Sequence, residues 1–279
     1  VSAQPTAQPT RRAVRVTGNE ALGAYNVLRV EDPQIGEPAP GQFAMLAAVE
    51  GWGGGEDERP FLARAFSVAR QRGSESSYLL EDVGPGTRRL CELQAGEELW
   101  VLGPLGSGFA APDRHPTDPA HPRRAILVGG GVGIAPLAIL QDTLDETGAG
   151  ATVLLGFRDE ARVPGAALLH DAELATDDGS AGHHGLVTDL LERELRSDPH
   201  AAVYACGPAG MLEGVRAICE REQVPAQLAL EAGMACGFGA CFGCVVPARG
   251  GGYLRVCVDG PVIDAAALAR VELHAGAPA

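Results

Sequence analysis

The chain has 279 residues, 46% of them hydrophobic, and a formal net charge of −14 at pH 7. The length suits about two domains with packed cores, and the acidity argues against nucleic acid, which is held through basic patches. No apolar run approaches the ~20 residues of a spanning helix, so no membrane partner is expected.

Residues 1–12, VSAQPTAQPTRR, have no apolar h-region and are not a secretory signal. They read as a disordered leader, and with the thiol-rich end of the chain they point to the cytoplasm. Every basic residue is arginine, a compositional bias that leaves arginine, histidine or backbone N–H groups for any phosphate clamp.

Residues 13–110 carry short segments with β-branched or aromatic residues at near-alternate positions, separated by Pro and Gly clusters. That spacing predicts a small antiparallel β-barrel. Two pieces stand out. One is the strand Arg64-Ala65-Phe66-Ser67. The other is the turn Gly84-Pro85-Gly86-Thr87, between the strand Tyr78–Val83 and a helix-like segment. Such a turn can offer N–H groups and a hydroxyl to phosphate, and Arg64 can neutralise it. Either piece alone is as well explained as a plain strand or turn. The glycine-rich insertion Gly51–Glu58 reads as an exposed loop.

After a Pro- and His-rich linker, 111–124, residues 125–225 alternate between strand and helix patterns. The run Ala125–Val128 has buried-strand character. It leads into Gly129, Gly130, Gly131, Gly133 and Pro136, then the helix Leu137–Asp145. Strand, glycine turn and helix form the phosphate-binding arrangement of a dinucleotide fold. Further strands are expected at Ala151–Phe157 and Ala202–Ala205. Helices are expected at Ala166–Ala175, Val187–Leu195 and Leu212–Glu222. Arg158 and Asp159 follow the second strand, where the adenosine ribose is read. An acid there suggests NAD(H), an arginine NADP(H), and the balance leans to NAD(H).

Residues 226–279 contain Cys236, Cys241 and Cys244 in a C-x4-C-x2-C run, with Cys257 twelve residues on. This is plant-type [2Fe–2S] spacing, in which four thiolates serve two irons. Structural zinc favours two close pairs, and disulfide frameworks belong to small secreted chains. Gly237, Gly239 and Gly243 let backbone N–H groups approach the cluster.

The R-x-F-S strand followed by G-x-G-T resembles the ferredoxin–NADP⁺ reductase superfamily. The resemblance implies an FAD-binding barrel and an α/β parallel-sheet NAD-binding domain. It puts Arg64, Gly86 and Thr87 at the FAD pyrophosphate, Phe66 and Ser67 near the isoalloxazine, and Leu79, Leu80 and Glu81 along the cofactor's other side, with Ala65 and Gly84 also among the cofactor-binding residues. Gly207, Pro208 and Met211 of the CGPxxM stretch would flank the nicotinamide, with the catalytic Cys206 beside its ring. With the small C-terminal [2Fe–2S] domain the protein is multidomain. LGPLGSGF, GGGVGIAPL, ACGPAGML and MACGFGACFGCVV…RVCVDGPVI together resemble the electron-transfer subunit of NAD-dependent (type B) dihydroorotate dehydrogenase, over residues 13–264. That resemblance implies FAD, one [2Fe–2S] cluster, NAD(H), an FMN-containing catalytic partner subunit and a heterotetramer of two of each. Electrons from dihydroorotate would leave as hydride to NAD⁺ in pyrimidine biosynthesis. A diaphorase-type subunit of a ferredoxin reductase, hydrogenase or sulfite reductase shares part of the pattern and stands as the alternative.

Overall fold

Arginine, valine and valine at positions 12, 14 and 16 are buried while their neighbours are exposed, the period-two signature of a half-buried strand. This strand, Arg11–Leu22 (β1), opens the fold in a computed structural model that describes residues 10–53, 60–118 and 120–269. The leader stretch 1–9 and residues 54–58 of the insertion lie outside the described residues, and β1 takes in the last two residues of the expected leader.

Tyr25–Glu31 (β2), Phe43–Ala48 (β3), Arg64–Ser67 (β4), Arg70–Arg72 (β5), Glu75–Glu81 (β6), the helix Pro85–Cys91 (α1) and Glu98–Leu105 (β7) follow. The seven strands form an antiparallel sheet in the order β4-β3-β7-β1-β2-β6-β5. The outer strands β4 and β5 are consecutive in sequence. Val68 donates to Gln42 on one side and Ala69 to Ser77 on the other, so the short link between them joins the two sheet edges into a barrel. Its interior holds Val14, Leu28, Leu46, Tyr78, Leu80, Leu99 and Val101.

The second sheet is built from Ala125–Gly130 (β8), Ala151–Phe157 (β9), Ala172–Thr176 (β10), His183–His184 (β11) and Ala202–Cys206 (β12), with Ala135–Glu146 (α2), Val187–Ser197 (α3) and Ala209–Glu222 (α4). Alternate residues of β8 face opposite layers. Leu127 packs with Leu137, Leu140 and Leu144 of α2, whereas Ile126 and Val128 pack with Leu191 of α3 and Val215 of α4. The expected helix Ala166–Ala175 is absent. That stretch is a 3-10 turn, Val163–Leu168, and then β10. Parallel pairing of β10 with β9 overrides local propensity, because the sheet edge offers a full backbone ladder. His183 and His184 add the edge strand β11.

The C-terminal stretch does not stand apart. Ala226–Ala229 (β13) extends the second sheet beside β12. After the hairpin Val245–Pro247 (β14) and Tyr253–Arg255 (β15) and the turn Val256–Asp259 (α5), Val262–Asp264 (β16) returns antiparallel to β13. The sheet order is β11-β10-β9-β8-β12-β13-β16. Strands β9 and β10 add to one side of β8 and β12 to the other, so the order switches between β8 and β12, the position where α/β sheets open a crevice at their carboxyl edge. Ion pairs Arg70–Asp142 and Arg162–Glu81 span barrel and second sheet, and Ser107 N–H donates to Gly260 at 2.6 Å.

Candidate functional site

At the carboxyl edge the two strand ends beside the switch are drawn together by missing side chains. A Cβ on Gly133 would lie 2.6 Å from the carbonyl carbon of Cys206, so only glycine lets the turn after β8 approach β12. Gly130 and Gly207 leave space that the Met211 sulfur fills, and Gly129 packs under Leu155, Ile134 and Leu137. Pro136 stands in the first turn of α2, where its missing N–H costs little. The ends of β8, β9, β10 and β12 and the start of α3 line a cavity of about 630 Å³, closed on the barrel side by Glu81 and Val83. Glycine backbone on its walls and an open, mixed polar and apolar lining fit a dinucleotide.

Charged groups follow the rim. Arg158 lines the cavity and is exposed. Asp159 is absent from the lining: its Oδ2 accepts from Arg162 at 2.5 Å, and Oδ1 is buried without a hydrogen-bond partner among the described residues. Arg162 also donates to Glu81 Oε1 at 2.6 and 3.1 Å. Cys206 is buried behind the cavity wall. Burial first, and then the charge of Glu231, push its thiol pKa well above the ordinary value. Glu231 itself lines the cavity. It is exposed to solvent through that opening yet flanked by protein on its other sides, and the crowding raises its carboxyl pKa.

On the barrel side, a Cβ on Gly86 would meet the Arg64 guanidinium at 2.8–2.9 Å, so the arginine lies directly over the turn. No carboxylate among the described residues pairs with it; its Nη1 donates to Leu62 O at 2.5 Å. A cation held over a glycine turn and free of a counter-ion fits a pyrophosphate. Thr87 Oγ1 accepts from the N–H groups of Val83 and Gly84, at 2.9 and 3.0 Å, and donates to Gly84 O. Its hydroxyl holds the turn's shape. Along β4, Phe66 packs against the barrel interior, while Ala65 and Ser67 pair with Met45 and Phe43, which face the second sheet. Period two divides β6 in the same way: Leu80 is turned into the barrel core with Tyr78, and Leu79 and Glu81 face the other layer.

The four clustered cysteines come together. Cys244 and Cys257 Sγ lie 3.2 Å apart, thirteen residues from each other in sequence. All seven cysteines of the chain are free thiols. Burial opposes ionisation of Cys236, but N–H groups of Phe238, Cys241 and Ala240 and the facing Cys241 thiol outweigh it and bring its pKa down to about 6. Burial and the neighbouring Cys244 push Cys257 up to about 12. Thiols crowded together and met by N–H donors form a set whose joint ionisation a bound metal would favour. Among the described residues no three His, Cys, Asp or Glu side chains converge on one ion position; a two-iron cluster spreads four thiolates over two positions instead. Gly237 and Gly239 take φ of +80° and +87°, and Gly237 lies against Met45 and Leu105 of the barrel.

Sequence reasoning passed over Arg162, Asp177, Glu231 and Met45. Only the Asp159-x2-Arg162 spacing carried a local signal; the others are brought in by strand ends distant in sequence.

Residues 231–269 match the model of the iron-sulfur cluster binding domain of dihydroorotate dehydrogenase B. A protein of Geobacillus kaustophilus named dihydroorotate dehydrogenase B (NAD(+)), electron transfer subunit, is 39% identical over 235 residues, covering 81% of this chain and 85% of that one. A relative from Methanopyrus kandleri, named a probable subunit of the same kind, is 38% identical, covering 84% and 82%. The fold is similar to that of an NADH-dependent reduced ferredoxin-NADP oxidoreductase, at 24% identity and TM-score 0.76 over 96% of this chain and 91% of that one. It is also similar to a ferredoxin NADP+ reductase from Neisseria gonorrhoeae solved with FAD and NADP, at 17% identity and TM-score 0.59 over 78% and 92%.

Proposed function

We propose a function from one premise: the chain belongs to the family of electron transfer subunits of NAD(+)-linked dihydroorotate dehydrogenase B. It carries electrons from a catalytic partner subunit, where dihydroorotate is oxidised to orotate in pyrimidine biosynthesis, to NAD⁺. When bound, the [2Fe–2S] cluster passes single electrons, FAD exchanges one or two, and nicotinamide takes a hydride.

The residues divide the work by position. Cys236, Cys241, Cys244 and Cys257 hold the cluster, with the Gly237–Gly239 backbone donating N–H groups to it. Arg64 neutralises the FAD pyrophosphate over the Gly84–Gly86 turn that Thr87 braces. Ala65 and Ser67 present the β4 face to the flavin, and Leu79 and Glu81 its flank. Gly129 to Gly133, Pro136, Gly207, Pro208 and Met211 shape the nicotinamide end of the cavity, with Cys206 buried behind its wall. The observation that carries this order is the seat of the cysteine loop. Gly237 packs on Met45, and Met45 pairs with Ala65 between Arg64 and Phe66. The cluster loop is thus one strand from the flavin strand.

The partner is an FMN-containing subunit, assembled with this one as a heterotetramer of two of each in the cytoplasm. No helix among the described residues is long and apolar enough to cross a membrane. Phe238, Phe242 and Val258 beside the cysteines are exposed, whereas Val245 and Val246 are half-buried in β14. The phenylalanines supply the apolar centre of the docking face.

An anaerobic spectrum tests the assignment. The purified chain with its co-purifying partner should contain FAD, FMN and about two irons per cluster-bearing chain, and should bleach with NADH and with dihydroorotate. Flavin and iron that bleach with NADH but never with dihydroorotate, even with an FMN subunit supplied, would overturn the pathway and favour a diaphorase-type subunit.

A further inference from the structure

The motif position for ribose recognition, at the end of β9, holds an acid that is already engaged. Asp159 is tied to Arg162, which is tied to Glu81, and Asp159 does not reach the cavity. The neighbouring strand end supplies another. Asp177 follows β10 directly, and its N–H donates to Phe157 O at 3.0 Å, extending the β9–β10 ladder by one residue. That register puts Asp177 beside Arg158, about one strand spacing, ~4.8 Å, away. Both line the cavity and both are exposed. No ion pair or hydrogen bond joins the two side chains, and neither carboxylate nor guanidinium has another such partner among the described residues. Across the opening stand Leu186 and Thr188 at the start of α3.

We infer that Asp177, rather than Asp159, accepts the hydroxyls of the adenosine ribose and makes this site favour NAD(H) over NADP(H). This rests on the dinucleotide reading of the cavity and goes beyond it by assigning the residue that discriminates. A free carboxylate accepts hydrogen bonds from vicinal hydroxyls. The same carboxylate repels a 2′-phosphate, which carries about −1.5 to −2 charges. Arg158 is the counterweight: once Asp177 is neutral, its guanidinium is the group a 2′-phosphate would meet. Asp159 serves the wall by holding Arg162 against Glu81 and does not discriminate.

Calorimetric titration of the FAD- and iron-loaded protein with ADP-ribose and with 2′-phospho-ADP-ribose tests this without turnover. Wild type should bind ADP-ribose the more tightly. Asp177→Asn should shrink that preference about tenfold or more, the scale of a removed like-charge contact. Arg158→Gln in the Asp177→Asn background should remove the gain for the phosphorylated ligand. Asp159→Asn should leave the ratio unchanged. An unaltered ratio in Asp177→Asn, or a collapsed one in Asp159→Asn, overturns the assignment while leaving the cavity a nucleotide site. Failure of wild type to bind ADP-ribose at all overturns the dinucleotide reading and the assignment with it.

Discussion

The most demanding single contact is a buried ion pair in the barrel. Arg12 and Asp32 are buried in the barrel, where Nε donates to Asp32 Oδ1 at 2.6 Å and Nη2 bonds Oδ2. Nη1 donates to the carbonyls of Thr10 and Gly103. Removing one partner of a buried pair leaves an uncompensated charge and costs about 3–5 kcal/mol. Asp32→Ala should lower stability by that much in urea unfolding; a loss under about 1 kcal/mol would mean that Arg12 regains solvent. Glu231 behaves oppositely. Its folded pKa is raised, so between the unfolded and folded values the folded state holds more protons, and stability falls as pH rises through that window. Glu231→Gln lacks this loss. Urea midpoints of cofactor-free protein at about pH 5 and about pH 8 should therefore fall less in the variant than in wild type.

Elements meet where glycine permits it. A methyl on Gly133 would sit 2.6 Å from Cys206 and Gly207 backbone, which no rotamer change relieves, whereas a methyl on Gly210, in the first turn of α4, meets nothing within 4 Å. Gly133→Ala should destabilise by about 1–3 kcal/mol through forced separation of β8 and β12, and should weaken ADP-ribose binding. Gly210→Ala should be neutral or stabilise by up to about 1 kcal/mol through helix propensity. Thermal melts of the two variants distinguish them; equal losses would show that the close approach does not constrain the strand ends. The glycines of the two motifs were legible in sequence as turns, but their unequal importance depends on what stands opposite each.

At the scale of the molecule, barrel and sheet share their cores. Phe43, Met45 and Leu105 pack with Cys244, Val256 and Cys257, and Tyr25 and Leu79 pack with Ile134 and Leu168. The cysteine loop is therefore held by both layers, and Phe238, Phe242 and Val258 stand exposed on its outer face. Phe242 has φ of +57°, with the Arg255 guanidinium 5.6 Å from its ring centre. Phe242→Asn suits that left-handed backbone and removes the apolar surface. It should keep full iron content and lose co-purification with the catalytic subunit; retained association would move the docking face elsewhere.

Local sequence determined the barrel strands, the glycine turns, the CGPxxM helix start and the cysteine spacing, because each is a short-range demand of backbone geometry or ligand number. It did not determine that Ala172–Thr176 is a strand, since a sheet edge contributed by β9 decides that. Nor did it reveal that β13 and β16, from the cysteine-bearing stretch, complete the nucleotide sheet. The orientation of Leu80 into the core, the capture of Asp159 by Arg162 and the standing of Glu231 and Asp177 in the cavity wall were decided only by tertiary structure. Pairing register chooses which face a side chain takes, and burial and charge partners come from strands distant in the chain.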